Sequence, residues 1–265
     1  MGTLRSGSAK DKTVLTRRRL TIPDESTQGR PRGTNVMDNV KGMFRDLTPE
    51  ELLGPLNDVE RRFAPAKLFT AGPMEIPLPR PRVAIVGSRM ASEKGLDTAA
   101  EIAKTLSRKR VVTVSWLAEG IDAVAHKATI EERGRTVAVL GTPLDKVYPR
   151  KNLQLQEEIM AGHLAVSQFP IGHPIQPGNF VVRNKTIALI SNASIIVEAE
   201  ALSGSRHVGW ETLRLGRPLF ISKSVASNES MIWPSEMIRQ GAHRLDDPEN
   251  VVELLRSESD TQESS

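Results

Sequence analysis

The sequence predicts an α/β protein: a doubly wound, mostly parallel sheet of the extended Rossmann type. Three observations carry this. Short apolar runs without alternation recur, as in VAIVG (83–87), VVTVS (111–115) and TVAVLG (136–141). Such runs read as strands buried on both faces. Each is followed by a stretch of helical character, and strands alternating with helices imply right-handed crossovers and a parallel sheet. Small residues punctuate the carboxyl end of strand after strand, the edge at which such sheets bind ligands.

The elements follow in order. Residues 1–35 hold eight Lys/Arg against Asp11, Asp24 and Glu25, a net of +5, with few apolar residues. They read as a disordered basic tail. Residues 36–80 read as a short helical segment and a Pro-rich linker. Thr48-Pro49-Glu50-Glu51 supplies an N-cap, a proline at N1 and two acids for the positive helix end, predicting a helix to about Phe63. Pro73, Pro77, Pro79 and Pro81 stiffen the approach to the first strand. Residues 81–256 form the Rossmann-like domain. Its helices are expected over Ser92–Leu106, Gly120–Glu132, Leu153–Met160, Arg183–Ser191, Arg206–Leu215, Ser230–Gln240 and Pro248–Leu255. Further strands are expected at 164–167, 194–199 and 218–222, with a long loop over 168–185. Residues 257–265 read as a polar tail.

Composition narrows the function classes. The chain of 265 residues has no cysteine, which excludes disulfides and thiolate metal sites and fits a reducing cytoplasm. No apolar run approaches a membrane span, and no secretory h-region opens the chain. The formal net charge of +4 sits largely in the tail. The five histidines share no metal-ligand spacing. His126 reads as structural, and Ser115 lacks an evident base. No Walker A, GxGxxG or nucleophile elbow is present. No cofactor is expected.

The candidate site is built from the strand ends. Gly87, Ser88 and Arg89 follow the first strand, Ser115 and Trp116 the second, Gly141 the third, and Glu198, Ser203 and Gly204 the fifth. Small residues let backbone approach a ligand, and helix N-termini at this edge favour phosphate. The 168–185 loop adds Phe180, Arg183, Asn184 and Lys185. Cations interleaved with an aromatic ring suit a single nucleic-acid strand. Glu198 and Asp122 have an alternative reading as loop caps.

These blocks together resemble the DNA-processing protein A (DprA/Smf) family. The matching text is VAIVGSR, SWLAEGIDAVAH, GRTVAVLGTPLDKVYPRKN, SQFPIGHPIQPGNFVVRNKTIALIS, IIVEAEALSGS, GRPLF and MIRQGAHRLDDPENVVELL, spanning about residues 65–255. The resemblance implies sequence-independent binding of single-stranded DNA, a homodimer, handover to a RecA-type recombinase in natural transformation, and no catalytic turnover. It assigns the phosphate pocket to Gly87, Ser88 and Arg89, backbone approach to Ser115 and Gly141, and the groove lining to Phe180, Arg183, Asn184 and Lys185. The chain departs from the family at Trp116, where glycine is usual, at Gln168, and over GSRHVGWE (204–211). The family's C-terminal winged-helix domain is expected to be absent. Two other readings compete: a nucleotide sensor or nucleotide hydrolase of the lysine-decarboxylase-like type using Glu198 or Glu211, and a scaffold with a degenerate pocket.

Overall fold

A computed structural model describes residues 44–200 and 203–263. The basic tail and its residues lie outside this range. Among the described residues, nine strands form one sheet in the order β1-β2-β6-β5-β4-β3-β7-β8-β9. Strands β3 (Arg82–Val86), β4 (Val112–Ser115), β5 (Thr136–Leu140), β6 (Leu164–Ser167), β7 (Ala193–Ile196), β8 (Leu219–Ser222) and β9 (His243–Leu245) run parallel. From β3 the chain steps outward through β4, β5 and β6, then returns to place β7 on the other side of β3. That reversal opens a crevice at the carboxyl ends of β3, β4 and β7, where open α/β sheets bind ligands.

The fold class read from the sequence is present, and its cause is the apolar strands. Residues 82–86 and 136–140 are buried at every position. Alternate side chains feed opposite layers. Ala84 and Val86 join one core with Ile187, Leu189 and Val208, while Val83 and Ile85 join another with Ile102, Leu106 and Val251. Each buried Val, Ile or Leu side chain contributes roughly 1.5–3 kcal/mol.

The helices are α1 (Pro49–Leu53), α2 (Asp58–Phe63), α3 (Glu93–Arg108), α4 (Ile121–Glu131), α5 (Leu153–Gly162), α6 (Pro177–Ile190), α7 (Gly204–Arg214), α8 (Lys223–Ala226), α9 (Trp233–Arg239) and α10 (Glu249–Glu263). The N-terminal helix begins as expected: Thr48 and Glu51 form a capping box, with Pro49 at N1. It does not run to Phe63. Gly54, at φ 85°, and Pro55 break it, and Asn57 starts α2 with a second capping box through Glu60.

The 36–80 segment is more than helix and linker. It also holds β1 (Phe44–Leu47) and β2 (Leu68–Ala71), which extend the sheet antiparallel beyond β6. The residues 257–263, read as a polar tail, continue α10. The long loop is shorter than expected, because α6 starts at Pro177. Phe180, Arg183, Asn184 and Lys185 therefore sit on a helix. Among the described residues, no helix is long and apolar enough to cross a membrane.

Candidate functional site

The Gly87–Arg89 turn leaves β3 and is fixed from three sides. The Ser88 amide donates to the Glu198 carbonyl at 2.7 Å, and the Ile121 amide donates to the Ser88 carbonyl at 3.2 Å. The Met90 amide donates to the Ser88 hydroxyl at 3.1 Å. A Cβ at Gly87 would meet Ile121 Cγ1 at 2.5 Å and the Glu198 carbonyl oxygen at 2.9 Å. Only glycine lets α4 pack this close to the turn. Ser88 is buried and Arg89 is exposed at the crevice.

Arg89 shares a notch of about 70 Å³ with Ala118, Glu119, Tyr148, Phe180 and Arg183. Phe180 and Arg183 come from successive turns of α6, three residues apart and hence on one face. The Phe180 ring packs against Gly141, where a Cβ would meet it at 2.6 Å. Tyr148, the only tyrosine in the chain, packs at 5.4 Å between ring centroids, tilted by 54°. The Arg183 guanidinium stacks 4.3 Å from the Trp116 ring and 5.2 Å from the Phe180 ring. Its Nε has no hydrogen-bond partner. Burial pushes its pKa down to about 9, with Asp122 opposing and Arg89 reinforcing the shift. It stays charged at neutral pH.

Asp122 lies behind this pair, 1% exposed, with neither carboxylate oxygen hydrogen-bonded. Burial pushes its pKa up to about 7, against the charges of Arg183 and Arg89 and the nearby Ser115 hydroxyl and Gly87 amide. Two guanidiniums, one enclosed carboxyl and two aromatic rings thus meet at the crevice. The set can hold a phosphate on the cations and lay a base on Phe180 or Tyr148.

The other expected site residues divide. Ser115 is fully buried, and its hydroxyl donates to the Ile85 carbonyl at 2.5 Å. It ties β4 to β3 and presents no group to a ligand. Trp116 is 4% exposed and belongs to the core, with the Gly204 backbone over its ring edge. It fills the space that glycine would leave, so it serves as a platform for Arg183 and not as a face for bases. Asn184 is buried with its Oδ1 unpartnered. Lys185 is exposed, but about 140° round the helix from Phe180. Ser203 caps α7, accepting the Ser205 amide at 3.3 Å and meeting the Ser205 hydroxyl at 2.6 Å. Gly204 is exposed beside it.

Glu198 takes its alternative reading. Its carboxylate accepts the Ser92 amide at 2.8 Å and the Ser92 hydroxyl at 2.6 Å, clamping the start of α3 to the end of β7. His126 is structural, as expected. It is buried, and its pKa is pushed down to about 4 by desolvation. Its neutral ring donates from Nε2 to the Trp116 carbonyl at 2.7 Å and accepts at Nδ1 from the Thr136 hydroxyl at 2.7 Å. Asn152 donates to the Leu117 and Ala118 carbonyls, both at 3.1 Å, and holds the same loop from the other side. Sequence reasoning missed Tyr148 as a site residue, although it stands in the VYPRKN block.

Residues 51–256 match the family model of the DNA recombination-mediator protein A. The chain belongs to this family. Relatives include DNA processing protein DprA of Bacillus subtilis (strain 168), 32% identical over 191 residues, covering 72% of this chain and 64% of that protein. Protein Smf of Escherichia coli (strain K12) is 35% identical over 193 residues, covering 72% and 51%. DNA processing protein DprA of Streptococcus pneumoniae (strain ATCC BAA-255 / R6) is 38% identical over 189 residues, covering 71% and 66%. The aligned part of the chain thus spans between half and two thirds of these relatives. The solved structure of DprA from Streptococcus pneumoniae superposes with a TM-score of 0.65 at 29% identity, covering 79% of this chain and 73% of that one. DNA processing protein A from Helicobacter pylori, described for its single-stranded DNA binding mode, gives a TM-score of 0.66 at 22% identity over 81% and 96%. These likenesses place the notch on a DprA fold.

Proposed function

We propose that this chain binds single-stranded DNA without sequence preference, holding it along the crevice and not cleaving it. The observation that carries the reading is the notch. Arg89 and Arg183 supply phosphate contacts where Phe180 and Tyr148 offer ring faces. A space of about 70 Å³ suits a phosphate or a base edge and falls below the roughly 300–1,000 Å³ of a pocket that encloses a small molecule. The hydrolase reading finds less support. Glu198 is committed to Ser92, and Glu211 is paired with Arg214. Family membership extends the proposal to a homodimer that passes the strand to a RecA-type recombinase in the cytoplasm, without chemical turnover.

The test is fluorescence anisotropy of a labelled single strand of about 30 nucleotides at two salt concentrations, with duplex as competitor. Affinity should fall steeply with salt, because bound strand releases counterions. Arg89→Ala and Arg183→Ala should each weaken binding by roughly tenfold or more on every sequence, as expected for the loss of a charge-assisted contact. Unchanged affinity in both variants would sink the proposal.

A further inference from the structure

A cavity lies at the opposite edge of the sheet, by the amino ends of the parallel strands. It measures about 730 Å³, the size of a small-molecule site. Its wall is strongly cationic. Arg80 comes from the approach to β3, Lys109 and Arg110 from the end of α3, Arg135 from the approach to β5, Arg217 from the end of α7, and Arg256 from α10. Glu60 is the only acid lining it among the described residues. Three of the cations are paired: Arg217 with Glu60, Lys109 with Glu249 at 3.1 Å, and Arg135 with Glu75 at 2.9 Å. Arg80, Arg110 and Arg256 make no ion pair with a described carboxylate.

Like charges have been gathered here at a cost. Arg82, 1% exposed behind the wall, has its pKa pushed down to about 9 by burial and then by Arg80 and Arg217. Arg110 closes α3 in a Schellman motif: its amide donates to the Ser107 carbonyl at 2.9 Å and the Val111 amide to Leu106 at 3.0 Å. Its φ is 62°, the left-handed region that glycine occupies without strain, and Gly216 fills the same place at the end of α7. Helix C-termini favour a cation, which accounts for the charges at the ends of α3 and α7. It does not account for Arg80 and Arg135, which precede strands. The Asn192 Oδ1 accepts the Arg82 amide at 2.9 Å, leaving its NH2 group as a further donor on the wall. No aromatic ring lines the cavity among the described residues, so nothing there stacks on a base.

We propose that this cavity is a second anion site, separate from the notch, that binds a compact oligophosphate chain through its phosphate groups. The chain can be inorganic triphosphate or the triphosphate of a nucleotide. The test is thermal melting with inorganic triphosphate, with a nucleoside triphosphate, and with sulfate at matched ionic strength. The proteins are wild type, Arg110→Gly, Arg80→Gln with Arg110→Gly, and Arg89→Ala. Arg110→Gly suits the backbone and keeps the fold while removing one free cation.

Both triphosphates should raise the wild-type Tm beyond sulfate. The double variant should weaken triphosphate binding by roughly tenfold or more, and its single-strand affinity should stay within about twofold of wild type. Arg89→Ala should do the reverse. Equal responses to the two triphosphates assign the site to the phosphate chain alone. A larger response to the nucleoside triphosphate assigns it to a nucleotide source. Either ranking supports the site. No rise beyond sulfate overturns it. So does a rise lost in Arg89→Ala and kept in the double variant, which would place the phosphate in the notch.

Discussion

Asp122 stands behind Arg89 and Arg183, enclosed by protein, and its pKa is pushed up to about 7 by burial. An acid whose folded pKa lies above its ordinary value of 3.8 keeps its proton longer in the folded state. Stability linked to Asp122 is therefore greatest below about pH 4 and falls as pH rises towards 7. Single-strand affinity should follow the same direction, because protonating Asp122 removes a negative charge beside two cations. Anisotropy at pH 6 and pH 8 should show tighter binding at pH 6, and Asp122→Asn should flatten the difference. An identical pH response in that variant would remove Asp122 as the cause. Phe180→Ala should weaken binding by roughly 5- to 150-fold, the worth of one base–aromatic stack, with little change in the salt slope. Arg89 was legible as a cation at a strand end, and Arg183 as a cation beside an aromatic ring in the 168–185 segment. Trp116 was not legible in role, because one sequence does not tell whether an indole replacing glycine points into a groove or a core.

Glu198 shows how the elements hold the site. Its two bonds to Ser92 satisfy the start of α3 and fix the turn between β3 and that helix. Glu198→Ala should lower stability by about 1–3 kcal/mol, read as a drop in the urea midpoint at unchanged m-value. Glu198→Gln should retain part of it. Helix α3 could be located from sequence because Ser92 caps it, its side chain accepting the Gly95 amide at 3.1 Å. Helix α6 could not. Gln176 at its N-cap makes no side-chain bond, and its second half is buried on nearly every side, so neither a capping signal nor a one-sided apolar stripe marks it. Strands β1 and β9 were missed for a related reason. FRDL and HRL are short and carry polar, exposed side chains, as strands at a sheet's rim do. The central strands were legible because burial on both faces leaves an unbroken apolar run.

The whole molecule presents two charged regions on opposite edges of one sheet. Strands of four or five residues separate them by roughly 15 Å. Substitutions that far apart with no shared partner should act independently. Arg110→Gly should therefore leave single-strand affinity unchanged within about 0.5 kcal/mol, in wild type and in Arg89→Ala alike. A loss well beyond that, measured by the same anisotropy titration, would mean one strand spans both edges. The sequence foretold only the first of these regions. Its residues follow strands in contiguous blocks, whereas the second gathers arginines from five separate stretches, and only the folded chain brings them together.

Trp116 has a consequence for how the protein can be observed. Its indole is enclosed, its Nε1–H has no partner, and a guanidinium rests on its ring. If Arg183 turns towards a phosphate, the electric field across that ring changes while the ring itself stays in the core. The emission of Trp116 then reports occupancy of the notch without any label. The chain has three tryptophans, so replacing Trp210 and Trp233 by phenylalanine leaves a protein whose own light follows the strand on and off.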